Sequence, residues 1–117
     1  LENLGNNQFK LTPLPSSSQF SPVYGILAQD FNQDGNLDIL LAGNFLGTRV
    51  KYGQYDASKG VLLLGDGKGG YKTSDINVSG LNIDGEIRDI TMINLVNNDQ
   101  LLLFVGNDAP IQVYKVN

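Results

Sequence analysis

Apolar residues in this chain come in short bursts, each closed by a cluster of Gly, Asn, Asp or Ser. Val23, Tyr24, Ile26 and Leu27 form one burst, and after a polar gap Leu37 opens another that runs to Ala42. Apolar runs of this length bounded by turn residues read as β-strands. The pattern predicts strands near 23–29, 37–44, 60–65 and 71–76, then near 86–93, 100–106 and 111–116. A hairpin within residues 1 to about 14 precedes them, built around Gly5-Asn6-Asn7. Near-continuous runs such as Ile39-Leu40-Leu41-Ala42 suit strands covered on both faces. The stretches 12–22, with Pro13, Pro15 and Ser16-Ser17-Ser18, and 77–85, mixing Gly, Asn and Ser, read as connections.

The bursts recur. Residues 1–10 align without gaps on 63–72, placing Leu1 on Leu63, Gly5 on Gly67, Phe9 on Tyr71 and Lys10 on Lys72, an offset of 62. Residues 37–44 align on 100–107, with Ala42-Gly43-Asn44 over Val105-Gly106-Asn107, an offset of 63. Two separate segments returning at nearly one spacing imply an internal repeat of about 60 residues. The chain then divides into the end of one unit (1–14), a complete unit (23–76) and a partial one (86–117), all within a single β domain. A compact β-sandwich of short strands is the alternative, but it gives no reason for the offset.

Between the first two strands of the complete unit lies Asp30-Phe31-Asn32-Gln33-Asp34-Gly35-Asn36-Leu37-Asp38. Four oxygen-bearing side chains stand at alternate positions or close the loop, and Gly35 permits the positive φ that brings the later ones round. A hard cation such as Ca²⁺ takes six to eight oxygens at about 2.3–2.6 Å. Asp30, Asn32, Asp34 and Asp38 are the expected side-chain ligands, with the Asn36 carbonyl between them. A helix–loop–helix calcium loop would carry Glu at its twelfth position, where this chain has Leu41. The competing reading is a polar Asx-type turn without metal. Three carboxylates within nine residues would repel one another there.

Tyr24-Gly25, the Asp30–Asp38 loop and Ala42-Gly43-Asn44 together resemble an FG-GAP (VCBS-type) repeat, with Ala42-Gly43-Asn44 standing where that family has Gly-Ala-Pro. The resemblance is strong from about 23 to 71 and weak elsewhere. It implies antiparallel four-stranded blades of an integrin-α-like β-propeller, taken from the C-terminal part of a longer protein, with calcium in the loop. In such propellers the metal loops lie on one face, and the links between strands two and three lie on the face that meets partners. That second face would hold the long link 45–59, where Phe45, Arg49, Lys51, Tyr52 and Tyr55 are the candidate partner-binding residues. Packing of Tyr52 and Tyr55 against a neighbouring blade is the alternative. The third unit has Asn94-Leu95-Val96-Asn97-Asn98-Asp99-Gln100 at the loop position, one residue short and with Leu101 in place of the closing aspartate, so no metal is expected there.

Composition narrows the function. The 117 residues carry 41% apolar and 17% charged side chains, enough for a modest core and too even for a disordered chain. The chain has neither His nor Cys, which removes the commonest general bases, nucleophiles and transition-metal ligands. No apolar run approaches the roughly 20 residues of a transmembrane helix. A formal charge of −4 and a pI near 4.4 oppose nucleic-acid binding. The chain starts at Leu1 without Met and reads as a piece of something longer. The expectation is a non-enzymatic recognition or adhesion segment with a structural calcium, extracellular, at the cell surface or periplasmic. It would bind a protein or glycan ligand and either self-associate or pack on further blades. The alternative function is part of a secreted polysaccharide-processing enzyme, in a non-catalytic or catalytic propeller.

Overall fold

The computed structural model describes residues 1–44 and 58–116, where the fold is all-β and antiparallel apart from two single helical turns. The described strands form three sheets. β1 (Glu2–Gly5) and β2 (Gln8–Lys10) make a hairpin. β3 (Val23–Gln29), β4 (Asp38–Gly43), β5 (Val61–Gly65) and β6 (Tyr71–Thr73) make a four-stranded meander in chain order. β7 (Ile87–Asn94), β8 (Gln100–Gly106) and β9 (Gln112–Val116) make a three-stranded one.

The core lies between the second and third sheets. Directly paired residues share a face, so Leu27, Leu40 and Leu62 stand together on the central sheet. With Ala42 they meet Ile90, Leu102 and Phe104 of the third sheet, while Leu81 and Ile83 from the connection close the cluster. Phe104 is fully buried and packs edge-to-face on Tyr114, ring centroids 5.6 Å apart. Gly25 is glycine for a packing reason: a Cβ there would stand 2.6 Å from Cγ1 of Ile90. Leu41 and Leu63, buried on the opposite face of the central sheet, explain the unbroken apolar run in β4. On that side the Ser17 hydroxyl lies 2.7 Å from the Thr73 hydroxyl, tying the first connection to β6.

Pairing registers follow the sequence offsets. β1–β2 pairs Glu2 with Lys10 and Asn3 with Phe9, and β5–β6 pairs Leu64 with Lys72 and Gly65 with Tyr71, each shifted by 62. β3–β4 and β7–β8 both carry an irregularity at their open end, between Val23 and Gly25 in one and between Ile87 and Asp89 in the other. Just beyond it, Asn44 N–H donates to the Pro22 carbonyl at 3.0 Å and Asn107 N–H to the Glu86 carbonyl at 2.8 Å.

Two boundaries differ from expectation. The strand expected over 71–76 stops at Thr73, because Asp75 accepts the Asn77 N–H at 2.7 Å and starts α1 (Ile76–Ser79). The first hairpin, expected to reach residue 14, ends at Lys10. Pro13 and Pro15 just beyond it have no N–H to extend the ladder.

Candidate metal centre

The Asp30–Asp38 turn joins β3 to β4, and its own side chains organise it. Gly35 has φ +87° as expected, and Gln33 is also left-handed at +59°. With these two inversions the chain folds back over Asp30. The Asp30 carboxylate accepts Asp34 N–H at 3.1 Å and Gly35 N–H at 2.9 Å. Asn32 Oδ1 accepts the same Asp34 N–H at 3.1 Å, so Asp30 and Asn32 converge on one backbone nitrogen. Asp34 accepts Asn36 N–H at 2.8 Å and the Asn32 side-chain amide at 2.8 Å. The Asn32 bond first, and then the Asn36 backbone bond, hold the Asp34 carboxyl below its ordinary pKa.

Asp38 is placed differently. It is fully buried, with Oδ2 accepting Phe31 N–H at 2.9 Å and Oδ1 accepting Gly65 N–H at 2.9 Å. One carboxylate therefore staples the start of the turn to the end of β5. The turn also rests on the β5–β6 corner: a Cβ on Gly65 would overlap the Leu37 carbonyl, and one on Gly67 would overlap the Asn36 side chain. Asp66, at that corner, accepts Lys68 N–H at 2.7 Å and Gly70 N–H at 2.9 Å. Asp66-Gly67 is thus the hairpin turn that its dipeptide suggests.

Comparisons with known families, characterised proteins and solved structures gave no match to this chain. The functional reading rests on the turn itself. Among the described residues, no three acidic side chains stand close enough together to hold a metal as they are placed. Asp30, Asn32 and Asp34 are gathered, and Asp38 points to the backbone of Phe31 and Gly65.

The donor set nevertheless suits a hard cation. Every candidate is an oxygen donor, and an ionised carboxylate has about four acceptor sites, so Asp38 keeps capacity beyond its two backbone bonds. Among the described residues the ion pairs engage Glu2, Asp84, Glu86 and Asp99, and none engages Asp30, Asp34 or Asp38.

The matching turn of the third sheet has no such set. There Leu95 N–H closes on the Asp99 carbonyl at 2.8 Å, and the Asp99 carboxylate is taken by Lys115 at 2.7 Å. The candidate partner-binding residues Phe45, Arg49, Lys51, Tyr52 and Tyr55 lie outside the described residues.

Asn44 is the site-building residue that the sequence reading undervalued. It is buried at φ +83°, its side-chain amide donates to Ser58 and Gly85 carbonyls at 2.7 and 3.2 Å, and its Oδ1 accepts Ser58 N–H at 3.1 Å. Its recurrence as Asn107, which donates to Glu86 Oε2 at 3.0 Å, was the available signal. Beside it, Arg88 pairs with Glu86 at 3.1 Å and lies over the Tyr24 ring at 4.6 Å, linking β7 to β3.

Proposed function

We propose that this chain is a segment of a calcium-bearing β-propeller of the FG-GAP type, serving recognition or adhesion rather than catalysis. The observation that carries the reading is the Asp30–Asp38 turn. It joins the first two strands of a four-stranded meander, carries three carboxylates without a cationic partner among the described residues, and is stapled to β5 through Asp38. Asp30, Asn32, Asp34 and Asp38, with the Asn36 carbonyl, would hold the ion. When bound, the cation supplies the positive charge that relieves repulsion among the three carboxylates. The chain's own contribution is to gather Asp30 and Asn32 around Asp34 N–H and to fix Asp38 between two strands. The recurrence of pairing register at offsets of 62 to 64 supports the blade reading.

Affinity on the order of 10⁻⁴–10⁻³ M, as in extracellular modules, would suit a surface or secreted setting where calcium is millimolar. A protein or glycan is the proposed ligand class, with Phe45, Arg49, Lys51, Tyr52 and Tyr55 as the candidate contacts. Titration calorimetry with CaCl₂ tests the metal reading. One ion per chain, lost in Asp34→Ala, is expected. Equal calcium-induced stabilisation in variant and parent would overturn the site assignment.

A further inference from the structure

The chain carries three Asp-Gly steps, Asp34-Gly35, Asp66-Gly67 and Asp84-Gly85. Such a step can rearrange without an enzyme. The glycine nitrogen attacks the aspartate Cγ, a C–N bond forms, and the carboxyl hydroxyl leaves as water with the amide proton. The resulting succinimide takes up water at either carbonyl. One product is the original aspartate, and the other is isoaspartate, in which the main chain runs through Cγ. The reaction needs a carboxyl group that can turn onto the nitrogen and a glycine N–H that is not donating elsewhere. Glycine is the favourable follower because it has no side chain to shield its backbone.

The fold treats the three steps differently. At Asp34-Gly35 the nitrogen is occupied, with Gly35 N–H donating to Asp30 Oδ2 at 2.9 Å. The Asp34 carboxylate is held as well, by Asn36 N–H and the Asn32 amide. At Asp66-Gly67 one carboxylate oxygen accepts two backbone N–H groups, Lys68 at 2.7 Å and Gly70 at 2.9 Å, which keep the group engaged in its own turn. At Asp84-Gly85 neither kind of hold exists among the described residues. Gly85 N–H donates to no acceptor there, and the Asp84 carboxylate accepts no backbone N–H. The Asp84 side chain is 64% exposed and pairs with Lys59, and exposed pairs hold their groups weakly.

A single side chain restrains this third step. Gln112 of β9 grips the Asp84 backbone twice, its Oε1 accepting Asp84 N–H at 3.1 Å and its Nε2 donating to the Asp84 carbonyl at 2.7 Å. On one side of Asp84 lies Ile83, buried in the core, and on the other Gly85, whose carbonyl accepts the Asn44 amide at 3.2 Å.

We propose that Asp84-Gly85 is a modification site of this fold, where isoaspartate forms spontaneously and Gln112 is the restraint that sets its rate. Isoaspartate at position 84 lengthens the main chain by one carbon atom. It also turns the carbonyl that Gln112 grips into a free carboxylate, so the grip is lost and Gly85 shifts from Asn44. The connection between α1 and β7 is thereby loosened from β9, and Ile83 loses the support that keeps it in the core.

The test is run in chelator and reads chemistry within the chain, so its outcome is independent of calcium and of any partner. The folded chain is held for weeks at neutral pH and body temperature beside a sample unfolded in guanidinium chloride, and both are digested with trypsin. Cleavage after Lys and Arg puts each step on its own fragment, 11–49, 60–68 and 73–88. Enzymatic methylation of the isoaspartate carboxyl and mass spectrometry read each fragment. In the folded chain 73–88 should accumulate isoaspartate while the other two stay at their starting level, and in denaturant all three should accumulate it. Asp84→Glu keeps the charge beside Lys59 but cannot close the five-membered ring, and should abolish the signal on 73–88. Gln112→Ala should raise the rate on 73–88 several-fold and leave the other fragments unchanged. Should that variant disturb the fold, Gln112→Glu, which keeps the acceptor and loses the donor, gives the same reading. The isolated isoaspartate form should unfold at a lower urea concentration than the parent. Isoaspartate forming as fast on 11–49 or 60–68 as on 73–88 in the folded chain would overturn the site, as would none on 73–88 where the denatured sample has it. An unchanged rate in the Gln112 variants, or an isoaspartate form as stable as the parent, would overturn the role given to the Gln112 grip.

Discussion

Replacing Asp38 by Ala should cost this fold more than any other substitution in the candidate metal turn, even with no metal present. The carboxylate is fully buried and accepts two backbone N–H groups, from Phe31 and Gly65, each at 2.9 Å. Hydrogen bonds to a charged group are worth roughly 1.5–3 kcal/mol each. Losing both, and leaving two part-buried N–H donors without their acceptor, should destabilise the chain by about 3–6 kcal/mol. Small domains have only about 5–15 kcal/mol in total, so the variant should stand close to unfolding. Asp38→Asn keeps one acceptor oxygen and turns an NH₂ group toward the other donor, and should cost about half as much. Urea unfolding followed by circular dichroism, in excess chelator, reads both values with the cation contribution removed. A loss below about 1 kcal/mol for Asp38→Ala would refute the claim that this carboxylate staples β3's exit to β5.

Gly43→Ala should destabilise by several kcal/mol, since the added Cβ would overlap the Pro22 carbonyl oxygen, which is backbone and already holds Asn44 N–H; thermal melting of the variant checks it. Gly25→Ala should cost about 1–3 kcal/mol, because the added Cβ would overlap Ile90 Cγ1, and Ile90→Ala, which removes that atom, should show a favourable coupling with it in a double-mutant cycle. The Lys115 hydrogen bond, and then the Asn97 side-chain bond, hold the Asp99 carboxyl below its ordinary value of 3.8. A depressed folded pKa adds stability that is fully present above 3.8 and is lost as pH falls through the lower folded value. The difference in stability between parent and Lys115→Met should therefore shrink on acidification through that window. A difference that stays constant down to pH 2 would contradict the pairing.

The strands were legible because their apolar runs are short and cleanly bounded. β3 and β8 begin and end where the pattern put them, and β4 differs by one residue at each end. The all-β antiparallel class follows from the same pattern. What escaped the sequence was short-range side-chain chemistry. Asp75 could have closed a strand or started a helical turn, and only its bond to Asn77 N–H decides between them. In the metal turn, alternate spacing revealed which residues carry oxygens but not where those oxygens point. By spacing alone Asp38 has the same role as Asp30 and Asp34, whereas its position at the head of a buried strand aims it at Gly65, a residue 27 positions away. Asn44 was visible as a recurring letter. Its bonds to Ser58 and Gly85 depend on how the strands are brought together.

Amide chemical shifts during a calcium titration test the central claim most directly, because the chain carries its own control. Calcium held by the Asp30–Asp38 turn should move the amide signals of Asp34, Gly35 and Asn36, whose N–H groups bond to the proposed ligands. It should also move Phe31 and Gly65, which share Asp38. The amides of Asn98 and Asp99, in the corresponding turn of the third sheet, should stay fixed. Saturation should fall near millimolar calcium, on the order of 10⁻⁴–10⁻³ M. Signals of the first turn that do not move at 10-fold that concentration, or both turns moving alike, would contradict calcium binding at this site.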